Sequence, residues 1–264
     1  MKRTIGEFLQ AMKALSGDAS SVVDGWIYGD PQWPVTGVAV VFSATLAVLE
    51  EAAGMGANLI IAHEGPYYSH HPGEAWLAGD PVYLYKKRWI EERQLAIYRN
   101  HDHWHRRQPD GIMQGLLRAL QWETHVETYL PTAAIVTLSA VTLAERAGEL
   151  KERLGAPFVR LAGDPAMTSR RIGLLAGYRG SAAQALPLFS EHRVDTVIAG
   201  EGPEWELPDY IADACRQGSP RGLLLLGHAV SEEPGMRYLA EELQAVGPDV
   251  PVRYIAGQQP FAVR

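Results

Sequence analysis

Three stretches of this chain run from an apolar segment directly into histidine, and that pattern restricts the fold more than any other. Leu59-Ile60-Ile61-Ala62 empties into His63-Glu64-Gly65-Pro66, and Leu95-Ala96-Ile97-Tyr98-Arg99-Asn100 into His101-Asp102-His103-Trp104-His105. Leu223-Leu224-Leu225-Leu226-Gly227 empties into His228. Short apolar runs closed by Gly, Pro or polar residues read as buried strands. Strands alternating with helical stretches build an α/β fold, whose ligands gather beyond the carboxyl ends of the strands. The three histidine-bearing ends are therefore expected to converge on one place.

The rest of the chain fits that plan. Ile5, Phe8, Leu9, Met12 and Leu15 recur at helical spacing. Residues 17–36, rich in Gly, Asp, Pro and Trp, read as irregular loop. Residues 37–42 form a strand, Ser43 caps a helix reaching Gly54, and the strand before His63 completes a parallel βαβ unit. Helices are expected near 81–92, 110–122, 143–154, 182–191 and 208–216, and strands near 134–138, 158–161, 172–176, 194–199 and 252–255. Ser231 reads as the cap of a last helix over 232–245. After Pro131 the pattern starts afresh, so residues 130–219 are expected to form an α/β insertion. Residues 1–129 and 220–264 then make the other domain, and the strand ending at His228 returns to its sheet.

The 264 residues carry a formal net charge of -7, which gives no electrostatic footprint for nucleic acid or an anionic membrane. No apolar run reaches membrane-spanning length. Glu7 and Gln10 interrupt what would be the apolar core of a signal peptide, and Cys215 is the single cysteine, so a cytoplasmic location is expected.

His228 and Glu232 lie four residues apart across a strand-to-helix turn, and imidazole with carboxylate suits divalent zinc, iron, manganese or cobalt. His63 and Glu64 are adjacent, and adjacent strand residues face opposite sides, so both reach one centre only where strand geometry has ended. His101, His103 and His105 form a polar cluster, read by itself as a solvated loop. Glu201, Glu204 and Glu206 read as a solvated acidic surface, Gly177-Tyr178-Arg179-Gly180-Ser181 as a tight turn, and Cys215 as packing.

The segment Asn58 to Pro66 resembles the "LIIAHHP" segment of the NIF-three-like family, also called GTP cyclohydrolase type 2 homologues. Gly227-His228-Ala229-Val230-Ser231-Glu232-Glu233-Pro234-Gly235 is similar to that family's "GHxxxExPG" segment. Ile198-Ala199-Gly200-Glu201 resembles its "TGE" strand end, Phe42-Ser43-Ala44-Thr45 its "DxT" turn, and His101 to His105 with Gly111 its "HxxLD" segment and later glycine. The resemblance implies two α/β domains, the second inserted in the first, with a two-metal site in a cleft at the strand ends and a homo-oligomer that is often a toroidal hexamer. It also implies a ligand set of His63, Glu64, His105, His228 and Glu232, with His101 or Asp102 as alternatives to His105. The chain departs from the family twice, at Glu64 and His105, yet the set keeps three imidazoles and two carboxylates. These features point to a metal-dependent hydrolase acting on a small molecule, with a non-catalytic metal-binding regulatory or scaffold protein as the alternative. The metal ligands are expected outside residues 130–219.

Overall fold

The structure is a computed structural model that describes residues 2–16, 20–71, 73–258 and 261. It divides into two compact units, Met1–Gly111 with Met236–Gln259, and a second built from Ile112–Gly235. From the amino end the first unit runs α1 (Ile5–Ser16), β1 (Gly25–Tyr28), β2 (Val38–Val41), α2 (Leu46–Gly54), β3 (Leu59–Ala62), α3 (Pro81–Glu92), β4 (Ala96–Arg99) and α4 (Asp102–Arg106). Then come α5 (Gly111–Ala119), β5 (Val126–Tyr129), β6 (Ala134–Thr142), α6 (Leu143–Leu154), β7 (Arg160–Ala162), β8 (Thr168–Leu175), α7 (Ala182–Ser190), β9 (Thr196–Ala199), α8 (Leu207–Arg216) and β10 (Gly222–Leu225). The chain leaves the second unit within α9 (His228–Val246) and closes on β11 (Val252–Ile255).

The first unit holds a five-stranded sheet in the order β1-β4-β3-β2-β11. All neighbours are parallel except β1, which pairs antiparallel to β4 along the edge. The four residues of β2, of β3 and of β4 are each buried throughout, as strands covered on both faces must be. Their apolar side chains pack with Val48 and Leu49 of α2 and with Trp89 and Ile90 of α3. Because β3 and β4 are parallel neighbours, with Ala62 opposite Arg99, His63 and His101 leave the sheet side by side.

The second unit has a six-stranded sheet, β5-β6-β8-β9-β10-β7, in which β8, β9 and β10 run parallel. Sequence periodicity places α6 correctly at 143–154, where Thr142 and Glu145 form a reciprocal capping box and Gly155 ends the helix at φ 60°. Among the described residues no helix is long and apolar enough to cross a membrane.

Three expectations need correction. The strand before His228 does not return to the first sheet: β10 lies between β9 and β7, with Leu225 opposite Ala199. Its apolar run records burial but not which sheet buries it. The second unit, Ile112–Gly235, holds β5, β10 and the start of α9. Ser231 is no cap, because α9 already begins at His228. Residues 17–36 contain a strand, β1, whose glycine and tryptophan content disguised it.

Gly235, from the terminal "GHxxxExPG"-like segment, has a packing role. A Cβ there would meet Ile112 Cδ1 at 2.7 Å and crowd the Ile112 backbone, and Gly115 is pressed against Pro234 and Gly235 in the same way. We expect Gly235→Val to lose on the order of 2 kcal/mol of stability in urea unfolding, because backbone atoms cannot yield as side chains do. Unchanged stability would show that α5 and α9 have room to separate.

Candidate metal centre

The first unit gathers its histidines by local hydrogen bonding. Just past β3, His63 N donates to Val41 O and Glu64 N to Phe42 O at 2.8 Å. Two consecutive N–H groups turned to the same neighbouring strand mark the end of strand alternation, and ligand atoms of His63 and Glu64 lie within 4.8 Å of one another. His63 is fully buried; its ring lies between Phe42, at 6.0 Å between centroids, and His101, at 4.4 Å. Glu64 Oε2 instead meets Arg99 Nη2 at 3.0 Å and His70 Nδ1 at 3.3 Å.

His101 and His105 are set one helical turn apart by α4, with His105 N donating to His101 O. So short a helix is unstable alone, and the buried carboxylate of Asp24 anchors it by accepting the backbone N–H groups of His101, Asp102 and His103 at 2.7–3.0 Å. The cluster read as a solvated loop is thus an anchored helix. Potential ligand atoms of His63, His101 and His105 all lie within 4.8 Å of one another, as do those of Glu64, His70 and His101. His101 is common to both groups.

A carboxylate stands behind two of these rings: Asp110 Oδ2 is 2.9 Å from His105 Nδ1, and Asp102 Oδ1 is 3.0 Å from His101 Nδ1. Ionised carboxylates only accept, so Nδ1 carries the hydrogen and the lone pair is left on Nε2. Arg99, buried at the end of β4, fastens the loop after β3 by donating to His63 O, His70 O and Glu64. Asn100 is also fully buried, and neither polar atom of its side chain has a hydrogen-bond partner among the described residues. A buried amide with nothing to bind at a histidine-rich strand end fits a position that serves a ligand.

The second unit carries its own cluster at the ends of three parallel strands. Beyond β8, β9 and β10 come Gly177, Gly200-Glu201 and Gly227-His228. His228 Nδ1 is 2.9 Å from Glu201 Oε1, and its Nε2 is 3.1 Å from Glu232 Oε2. Glu232 is buried and Ser231 fully so; Ser231 Oγ accepts from Gly177 N and donates to His228 O. Glu201, expected on a solvated surface, is the acid that orients His228. The "TGE"-like strand end was the signal for it.

Of the expected ligands, the first unit groups His63 with His105 and places Glu64 with His70 and His101, while the second pairs His228 with Glu232. Imidazole and carboxylate donors in this ratio fit a divalent ion of the zinc, iron, manganese or cobalt type. The alternative ligands His101 and Asp102 separate: His101 joins the imidazole group, and Asp102 stands behind it.

Comparison with known proteins agrees with this arrangement of strands and motifs. Residues 2–260 match the family model described as Duf34/NIF3 (NGG1p interacting factor 3). The chain belongs to the Duf34/NIF3 family. A curated relative from Chlamydia muridarum, named GTP cyclohydrolase 1 type 2 homolog, is 25% identical over 248 residues, 90% of each chain. A Bacillus cereus protein related to NIF3 shares the fold with a TM-score of 0.79 at 16% identity, over 100% of both chains. Staphylococcus aureus hypothetical protein SA1388 matches at 0.77 and 17%, again over 100% of both. HcgD from Methanocaldococcus jannaschii matches at 0.71 and 13%, over 96% of this chain and 97% of that one.

Gly177 has φ 66°, and a Cβ there would overlap the Glu232 carboxylate and stand 3.3 Å from His228 Nε2. Gly177→Ala should therefore displace Glu232 and weaken metal retention about tenfold or more while the fold persists, read by metal competition with a chromogenic chelator. Wild-type retention in that variant would show that Glu232 is not held where metal binding needs it.

A second expectation concerns Lys86, whose buried ammonium is pulled down to a pKa of about 8 by desolvation. The native state releases this proton near pH 8, whereas the unfolded chain keeps it to the ordinary lysine range. Stability should therefore gain a rising contribution between pH 8 and 10, absent below pH 7 and absent in Lys86→Met. Parallel pH profiles for the two proteins in urea unfolding would contradict this.

Proposed function

We propose that this Duf34/NIF3 protein binds two divalent metal ions and uses them for hydrolysis of a small-molecule substrate. His63, Glu64, His105, His228 and Glu232 hold the ions, and His101 joins them. The observation that carries this reading is the carboxylate on Nδ1 of each of His101, His105 and His228, the arrangement by which proteins orient a metal-binding imidazole. Bound divalent ions supply Lewis acidity, which lowers the pKa of water and polarises a carbonyl or phosphoryl oxygen. The chain's own groups have distinct tasks. Asp102, Asp110 and Glu201 hold the Nδ1 protons in place, and Arg99 orients Glu64 and neutralises part of its charge. The glycines at 177 and 200 leave room for Glu232 and Ser231.

A cavity of about 300 Å³ opens beside Glu64 and His70, which supports turnover over a purely structural metal role. The name of the Chlamydia relative makes purine nucleotides the first substrates to test. Assembly into a ring of six copies is part of the proposal. It is supported by the exposed apolar side chains of Trp76, Val82 and Tyr85 around the start of α3.

The test is metal quantification on protein purified without added metal, with a parallel screen of nucleotides and phosphoesters. Wild type should retain near-stoichiometric divalent metal. His228→Ala and Glu232→Ala should each lose most of it, and the double variant should be little worse, because ligands of one ion do not act independently. A wild-type protein that takes up none of zinc, iron, manganese or cobalt would overturn the reading.

A further inference from the structure

The cavity beside Glu64 is bounded by Ser43, Thr45, Glu64, Tyr68, His70 and Lys86. Lys86 is the informative member. Its side chain reaches from α3 into the interior of the first unit, and only 4% of the residue is exposed. Its ammonium donates to Pro66 O and lies 5.2 Å from the Tyr68 ring centroid and 5.8 Å from that of Tyr67. Carbonyl and aromatic faces solvate a cation in part but do not neutralise it. Among the described residues no carboxylate pairs with Lys86, whereas the other buried cations, Arg99 and Arg146, are paired with Glu64 and Glu149. Burial disfavours such a charge, and a bound group of opposite sign would compensate it.

The remaining walls favour the same kind of partner. Among the described residues Glu64 is the one acid lining the cavity, and Arg99 takes up its charge at 3.0 Å. Ser43 and Thr45 precede α2, whose first turn carries no acidic residue and so presents an uncompensated positive dipole end. Thr45 Oγ1 accepts from Val48 N in capping the helix and keeps its O–H, so the Ser43 and Thr45 hydroxyls are the side-chain donors on that wall.

We propose that this cavity seats an oxyanion of the substrate, a phosphate or a carboxylate, with Lys86 as its counter-ion and Ser43 as a further lining donor. The inference rests on the metal-hydrolase reading only for the word substrate: Glu64 borders the cavity, so an anion seated there lies beside the proposed metal ligands. Lys86 is then a binding residue, remote from the reacting bond.

The test titrates inorganic phosphate, and separately acetate, into the metal-loaded protein by calorimetry, with metal content measured on every sample. Wild type should bind one of the two saturably, and which one distinguishes a phosphoryl from a carboxyl arm. Lys86→Met should weaken that binding about tenfold to a hundredfold, the size of a lost charge-assisted contact, with metal content unchanged. Ser43→Asp, at a half-buried position that tolerates a polar side chain, should weaken it comparably by repulsion and carries the test if Lys86→Met fails to fold. Binding of neither anion by wild type overturns the proposal, as does wild-type affinity in either folded variant. A wild-type protein that holds no metal yet binds the anion through Lys86 overturns the metal reading and supports the anion site.

Discussion

The carboxylate behind three of the imidazoles is the interaction on which the site's arrangement depends. A free histidine ring rotates and exchanges its proton between two nitrogens. A carboxylate on Nδ1 ends both freedoms and leaves Nε2 as the outward donor. His101 and His105 are held this way by Asp102 and Asp110, and His228 is oriented by a carboxylate at each ring nitrogen, Glu201 at Nδ1 and Glu232 at Nε2. Each acid is placed by a different device. Asp102 lies in a helix whose first N–H groups are anchored by Asp24, Asp110 follows that helix, and Glu201 follows a buried parallel strand. The proposed metal chemistry thus rests on ordinary secondary structure, with the parallel strands bringing the histidines to one end of their sheets.

Close backbone approach is the second constraint. In the second unit Gly177 and Gly200 have no space for a side chain, since a Cβ on the first would strike Glu232 and on the second would meet Gly177 N at 2.8 Å. Ser231 closes the same knot by bridging Gly177 N and His228 O. The backbone turns after β8 and β9 therefore hold the imidazole and the carboxylate more firmly than neighbouring side chains would. Gly111 plays a comparable part in the first unit, where a Cβ would enter the ring of Trp104 in the middle of α4.

Much of this was legible in the residues because it is local. The apolar runs before His63, His101 and His228 are strands or strand ends, and the helix expected over 143–154 is α6. What escaped is non-local. No periodicity says that β10 pairs with β9 rather than with the first sheet, since four leucines in a row are equally apolar in either. The helix under His101 and His105 owes its start to Asp24, far away in sequence, so the local pattern reads as loop. Arg99 looked like the last residue of a strand, and its role in fastening His63, His70 and Glu64 follows only from the loop folding back over it.

The measurement that reaches the central claim most directly is X-ray absorption at the edge of the metal that the protein retains. The account predicts a first shell of nitrogen and oxygen only, with the outer-shell scattering of several imidazoles, because the proposed ligands are histidines and carboxylates. A shell containing sulfur, or one of oxygen alone without imidazole scattering, would place the metal on other residues and contradict the account.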